Sequence, residues 1–199
     1  NKKATSADNN NDGFRDSPTG EQLNILNRFQ YTNLEKGLVG FFDFNYVFDE
    51  RVYGENEYID GIIFAENQNY WGGKTDSEIL KINFKFGYVD PMITYRSLVL
   101  QFAYTGIDMG SSFGFRNHDT KQTSIYSNLV YNSIIGDTRS KIKTGISLTY
   151  DEYDEFIFNN NPSLNNFEIS RIEKSIGAYF EYNYDDLDKM NLSAGLRFD

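Results

Sequence analysis

The sequence predicts an all-β fold: an antiparallel, up-and-down transmembrane β-barrel, with about eight strands forming a sector of a larger barrel. Three observations carry this expectation. Apolar residues recur at every second position in one run after another, the pattern of a strand with one apolar face. Short turns alternate with long polar segments, which puts all the turns at one end of the strands. The composition is also unusual, with 39% hydrophobic residues in 199 but 17% aromatic ones. The first figure is low for a conventional soluble core, and the second is foreign to disordered chains.

The elements follow in order. The first strand is marked by an odd-numbered face, Leu23, Ile25, Phe29 and Tyr31. The second runs within Lys36 to Arg51 on even positions, Leu38, Phe42, Phe44, Tyr46 and Phe48. Leu80, Ile82, Phe84, Phe86 and Tyr88 mark the third strand, and Leu98, Leu100, Phe102 and Tyr104 the fourth. The fifth, Lys121 to Ile135, is mixed; the sixth carries Ile142, Ile146, Leu148 and Tyr150. Ile176, Ala178, Phe180 and Tyr182 define the seventh, and Met190, Leu192, Ala194, Leu196 and Phe198 the eighth. The opposite faces are polar, with Arg28, Gln30, Asp43, Asn45, Lys81, Asn83, Lys85, Gln101, Lys143, Ser147, Glu181, Asn183 and Arg197.

Alternation alone fits a soluble β-sandwich as well, in which apolar faces pack on each other instead of facing lipid. The connections separate the two. NLEK, DPM, GDTR and DDLDK are tight-turn sequences, whereas residues 1–20, 52–77, 107–120 and 152–170 read as long external loops. Short turns on one side and long loops on the other are the habit of outer-membrane barrels. Tyr31, Tyr46, Tyr88, Tyr104 and Tyr150 lie near strand ends, where amphipathic rings would form a girdle at the headgroups. Eight strands could also close into a small barrel with a structural or adhesive role. The chain opens in a polar run and ends inside an alternating pattern, AGLRFD, which favours a segment of something longer.

Charge and composition exclude several chemistries. A net charge of -10 and a pI near 4.6 oppose nucleic-acid binding, which needs clustered Lys and Arg. There are no cysteines and one histidine, so disulfides, zinc sites and Cys or Ser-His-Asp nucleophiles lack raw material. His118, in RNHD, reads as a solvated loop residue. No enzyme activity is expected: Asp151, Glu152, Asp154 and Glu155 in YDEYDE are dense carboxylates, but no apolar pocket accompanies them to raise a pKa. No run is apolar enough for a membrane helix.

Two candidate sites emerge. In SADNNNDGFRDSP, Asp8, Asn10, Asp12 and Asp16 occupy positions one, three, five and nine of an EF-hand-like calcium loop, with Gly13 at six. Position twelve is Thr19 instead of Glu, so calcium is a possible loop stabiliser and no cofactor is required. For ligand contact the candidates are Tyr70 and Trp71, in the Gly-flanked NYWGG, and Phe115 and Arg116 in FGFRNHD. Arg116 has the planar fork suited to an anionic group.

NNNDGFRDSP with QLNILNRFQY, then FGFRNHDTKQTSIYSNLVYNSIIGDTRSKIKTGISLTYDEYDE, and finally SIGAYFEYNYDDLDKMNLSAGLRFD resemble the barrel region of TonB-dependent outer-membrane receptors. The likeness covers about residues 6 to 199 and is most specific from Phe113 to Glu155. It implies a 22-stranded barrel around an N-terminal plug in the outer membrane of a Gram-negative bacterium. Such a receptor imports a scarce small-molecule ligand, a siderophore-bound iron, cobalamin or similar, with energy supplied through the TonB complex. The plug, the segment that TonB grips and the C-terminal strands would lie outside these residues, so energy coupling would too. Under that reading Arg28, Lys81, Lys85, Lys143, Glu181 and Arg197 face the lumen, because Arg or Lys facing lipid at mid-membrane costs about 2–4 kcal/mol. Lys174, on an apolar parity, would snorkel to the headgroups.

Overall fold

A computed structural model of the chain describes residues 8–58, 70–159, 163–186 and 189–199. They form one antiparallel sheet of eight strands in sequence order, each paired with its neighbours in the chain. The strands are β1 (Thr19–Asn33), β2 (Leu38–Gly54), β3 (Gly72–Val89), β4 (Ser97–Phe113), β5 (Arg116–Ile135), β6 (Asp137–Asn159), β7 (Phe167–Asp185) and β8 (Asn191–Phe198). No helix occurs among the described residues, and β1 and β8 are not paired with each other, so the sheet is open.

Register ties the alternation of separate strands into two continuous faces. One row across the sheet reads Phe29, Phe42, Phe84, Phe102, Ser127, Leu148 and Ile176. The adjacent row, on the other face, reads Arg28, Asp43, Asn83, Ala103, Tyr126, Thr149 and Ser175. A one-residue slip in any pair would mix the faces, and the only shift lies between Ile134 and Ile135, at the end of β5. The mixed reading of β5 resolves here. Ile125, Leu129 and Tyr131 join the apolar face, with Ser127 among them, while Tyr126 and Val130 lie on the polar one.

Burial is inverted relative to a water-soluble sheet. On the apolar face Ile146 is 58% and Ile176 68% exposed, and Leu196 and Phe198 reach 80%. On the polar face Asp43 and Ser147 are only 7% and 6% exposed. Val130, at 8%, is the one buried hydrophobic side chain among the described residues. The polar face is knit by side-chain hydrogen bonds. Asn83 Nδ2 donates to Asp43 (2.8 Å), Asn128 Nδ2 to Gln101 (3.3 Å) and Asn183 Nδ2 to Glu181 (2.6 Å). Arg28 lies over the Phe41 ring at 4.9 Å.

The apolar belt has defined limits. Beyond Tyr46, Tyr104 and Tyr150 the same face turns charged, with Glu78, Asp108, Lys121 and Asp154 in one row. Lys121 pairs with Asp108 there at 3.1 Å. Lys174 sits at this border with its ammonium 5.4 Å from the Tyr150 ring centre, a cation–π contact. Leu80–Tyr88 and Leu38–Tyr46, which pair in register, therefore cover ~27 Å along their strands.

The turn end lies where expected, with β1 and β2 joined by residues 34–37 and β7 and β8 by 186–190, but DPM extends to a connection of 90–96, and of GDTR only Gly136 lies between β5 and β6. Gly37 has φ +66°, and a side chain there would strike the Val89 carbonyl, so glycine is required. The opposite end departs from expectation. Residues 107–120 are not a loop: β4 continues to Phe113 and β5 starts at Arg116, joined only by Gly114, at φ +58°, and Phe115. Likewise β6 runs through Glu155 to Asn159, and β7 begins at Phe167 inside the expected 152–170 loop. Beyond the belt polar residues occur on both faces of the strands, so the alternating signal is lost while the backbone ladder continues. The second expected loop shortens to 55–71, and Thr19 and Gly20 of the first belong to β1. Residues 1–7, 59–69 and 160–162 of these loops, and 187–188 of the last turn, lie outside the described residues.

Candidate functional site

The strand ends opposite the turns gather the chemistry. The segment from Asp8 to Pro18 folds as a chain of side-chain-capped turns. Asp8 accepts from the Asp12 and Gly13 amides, at 3.2 and 2.9 Å, and from Asn56 Nδ2 at 2.9 Å. Asp12 accepts from the Phe14 amide and from Asn10 Nδ2, both at 2.9 Å, and Asp16 from the Asn9 amide at 2.7 Å. These are the local bonds for which Asp and Asn favour turns. The Phe14 amide and the Asn10 side chain hold the Asp12 carboxyl below its ordinary value. Asn11, at φ +58°, and Gly13, at φ +87°, supply the left-handed residues such a fold needs.

Asp8, Asn10, Asp12 and Asp16 are thus close in the chain, but their oxygens turn toward the loop's own N–H groups. Among the described residues no set of three or more Asp, Glu, His or Cys side chains converges as metal ligands. The loop is docked to the β2–β3 connection instead. The Arg15 amide donates to the Gly54 carbonyl at 3.0 Å, and Arg15 Nη2 donates to the Asn56 and Tyr58 carbonyls at 3.1 and 3.0 Å.

Next to it stands Trp71. Its amide donates to Glu55 Oε1 and its carbonyl accepts from the Glu55 amide, both at 2.9 Å. Its indole reaches the Gly114 turn between β4 and β5, where the Gly114 amide donates to the Gly72 carbonyl at 3.1 Å. Trp71 and the glycines after it are therefore held by these contacts. Gly72 and Gly73 are buried at the start of β3, and a side chain at either would collide with the rings of Tyr58 and Phe113 respectively. Phe113 also packs at 6.0 Å from Tyr53. Tyr70, Trp71 and Phe115 remain 40%, 49% and 51% exposed, and Arg116, paired in register with Phe113, is exposed as well. Trp71, Phe115 and Arg116 thus share one rim. The sequence reading missed Arg15, Tyr53 and Tyr58 as its supports; the Gly72–Gly73 pair is the signal that rings pack there.

Two acidic and basic assignments change. His118 is not a solvated loop residue but lies in β5, half-buried, with Nε2 2.6 Å from Glu155 Oε1 and 3.2 Å from the Thr120 hydroxyl. Asp151, Glu152, Asp154 and Glu155 do not form one cluster. Strand geometry alternates them, so Asp151 and Glu155 share one face while Glu152 and Asp154 share the other. Comparisons with protein-family models, with curated proteins and with solved structures each found no match.

Proposed function

We propose that the chain is a membrane-spanning sector of an outer-membrane β-barrel, within a TonB-dependent transporter that imports a scarce ligand such as siderophore-bound iron or cobalamin. The observation that carries the membrane part is the burial pattern: large apolar side chains of one face, such as Leu100, Leu129, Ile146 and Ile176, stand exposed, while the buried side chains Asp43, Thr120, Val130 and Ser147 belong to the other. Contiguous apolar patches of more than a few hundred Å² mark surfaces that meet something other than water. Lipid fits this one, because the belt is bordered by tyrosines and by charges and, at a strand tilt of ~40°, would stand ~21 Å tall, close to the ~25 Å apolar band of a barrel. A β-sandwich would need a second sheet over this face, and a small closed barrel would need β1 paired with β8; neither occurs among the described residues. Unpaired edges within hydrocarbon are costly, which favours a sector flanked by further strands.

The transport part rests on the resemblance of the sequence runs, together with the rim. There Trp71, Tyr70 and Phe115 offer ring faces, and Arg116 offers a fork for a carboxylate or phosphate. No role as an enzyme is proposed. The test is uptake of labelled ferric siderophore, cobalamin and oligosaccharide by cells with and without the full-length protein. The reading expects one ligand to accumulate only when both the protein and TonB are present. Accumulation that is indifferent to the loss of either would contradict it.

A further inference from the structure

The apolar belt has one notch, and it is lined in a way that selects its occupant. Gly40 on β2 lies in register between Tyr31 on β1 and Phe86 on β3. With no side chain at Gly40, an open cavity of about 270 Å³ lies there, lined by Phe29, Tyr31, Phe42, Phe84 and Phe86, with Gln30 at its margin. The walls are stiffened by ring contacts. Phe84 and Phe86 stack at 6.4 Å with 2° between their planes, and Phe29 meets Phe42 at 6.2 Å.

Strands lie ~4.8 Å apart, so the β1 and β3 backbones stand ~9.6 Å apart across the notch. Carbon contacts of ~3.5–4.0 Å on each side leave room for one hydrocarbon chain. The five rings carry no charge, so an occupant with a backbone or a charged group would leave polar atoms unpaired. Toward the β1–β2 turn the Tyr31 hydroxyl accepts from Asn33 Nδ2 at 3.5 Å, a polar group at the border of the notch. The cavity is also continuous with the apolar belt. We propose that this notch seats an acyl chain of a bilayer phospholipid, an inference that rests on the membrane reading above.

The notch can be filled without breaking the strand. A Cβ at Gly40 would sit at ordinary contact distance, 3.6 Å from Tyr31 Cβ and 3.7 Å from Phe86 Cδ2. Gly40→Ala is therefore accommodated, and Gly40→Leu fills the space. The full chain would be reconstituted in phosphatidylethanolamine vesicles doped with a phospholipid bearing a photoactivatable acyl chain, and crosslinks mapped by peptide mass spectrometry. Tyr31 and Phe86 are expected to be labelled several-fold more than Ile146 and Ile176, which are exposed on the same belt, with the excess kept in Gly40→Ala and lost in Gly40→Leu. Equal labelling of notch and belt in the unmodified chain, or an excess that survives in a folded Gly40→Leu variant, would overturn the proposal while leaving the membrane reading intact. Absence of labelling at all four positions would overturn both. The comparison within the unmodified chain decides even if Gly40→Leu fails to fold.

Discussion

Asp12 illustrates how far a residue-level pattern can be read from spacing alone. The spacing of Asp8, Asn10 and Asp12 does bring oxygens together, but the acceptors are taken up by N–H groups within two to five residues and by Asn56. Sequence spacing fixes which oxygens are near; it does not reveal whether a cation or an amide will be their partner. A pH dependence follows. The Asp12 carboxyl is held below its ordinary value by the Phe14 amide and the Asn10 side chain. Its contribution is therefore present above the ordinary carboxylate value and lost as pH falls through the depressed one. Hydrogen exchange at the Phe14 amide is expected to accelerate in that acidic window, beyond the intrinsic pH trend. Asp12→Asn, which keeps an acceptor but cannot titrate, is expected to remove the step. A step of equal size in Asp12→Asn would show that another group controls the loop.

At the scale of elements, the seven strands with clean alternation were legible because each has to present one apolar face, and period two records that directly. Where strands rise above the belt the record stops, as for Ile107–Phe113 in β4 and Glu152–Asn159 in β6, which read as polar loops. Their ladders continue because backbone pairing does not depend on side-chain polarity, and residues such as Thr120, Tyr153, Phe156 and Phe158 suit strands on other grounds. The position of the belt yields a directional test on β6. A lysine replacing Ile146 would face lipid and cost about 2–4 kcal/mol. A lysine replacing Thr149 faces the other way, beside Tyr126 and Ser175, and should cost much less. Unfolding of the full chain from lipid vesicles in urea measures both. In a water-facing sheet, Ile146, at 58% exposure, would accept lysine within about 0.5 kcal/mol, and that result would count against the belt.

For the whole molecule, the order of the strands and the short turns were legible, since each turn carries Gly, Asp or Asn beside an alternating run. The inverted burial was only half legible. Alternation defined two faces, but which one is sheltered depends on long side chains meeting across strands, as Asn83 meets Asp43 and Asn128 meets Gln101. Sequence spacing says nothing of such contacts until register is known. The central claim is that the exposed apolar face meets lipid while the polar face meets water. Its most direct test is a spin-label scan of β3 from Leu80 to Tyr88 in the full chain in bilayers, reading collision with oxygen, which concentrates in lipid, against collision with a water-soluble nickel chelate. The account predicts a strict period of two, with oxygen contact at 80, 82, 84, 86 and 88 and nickel contact, or shelter from both, at 81, 83, 85 and 87. Nickel contact at the even positions, or no alternation along the strand, would contradict it.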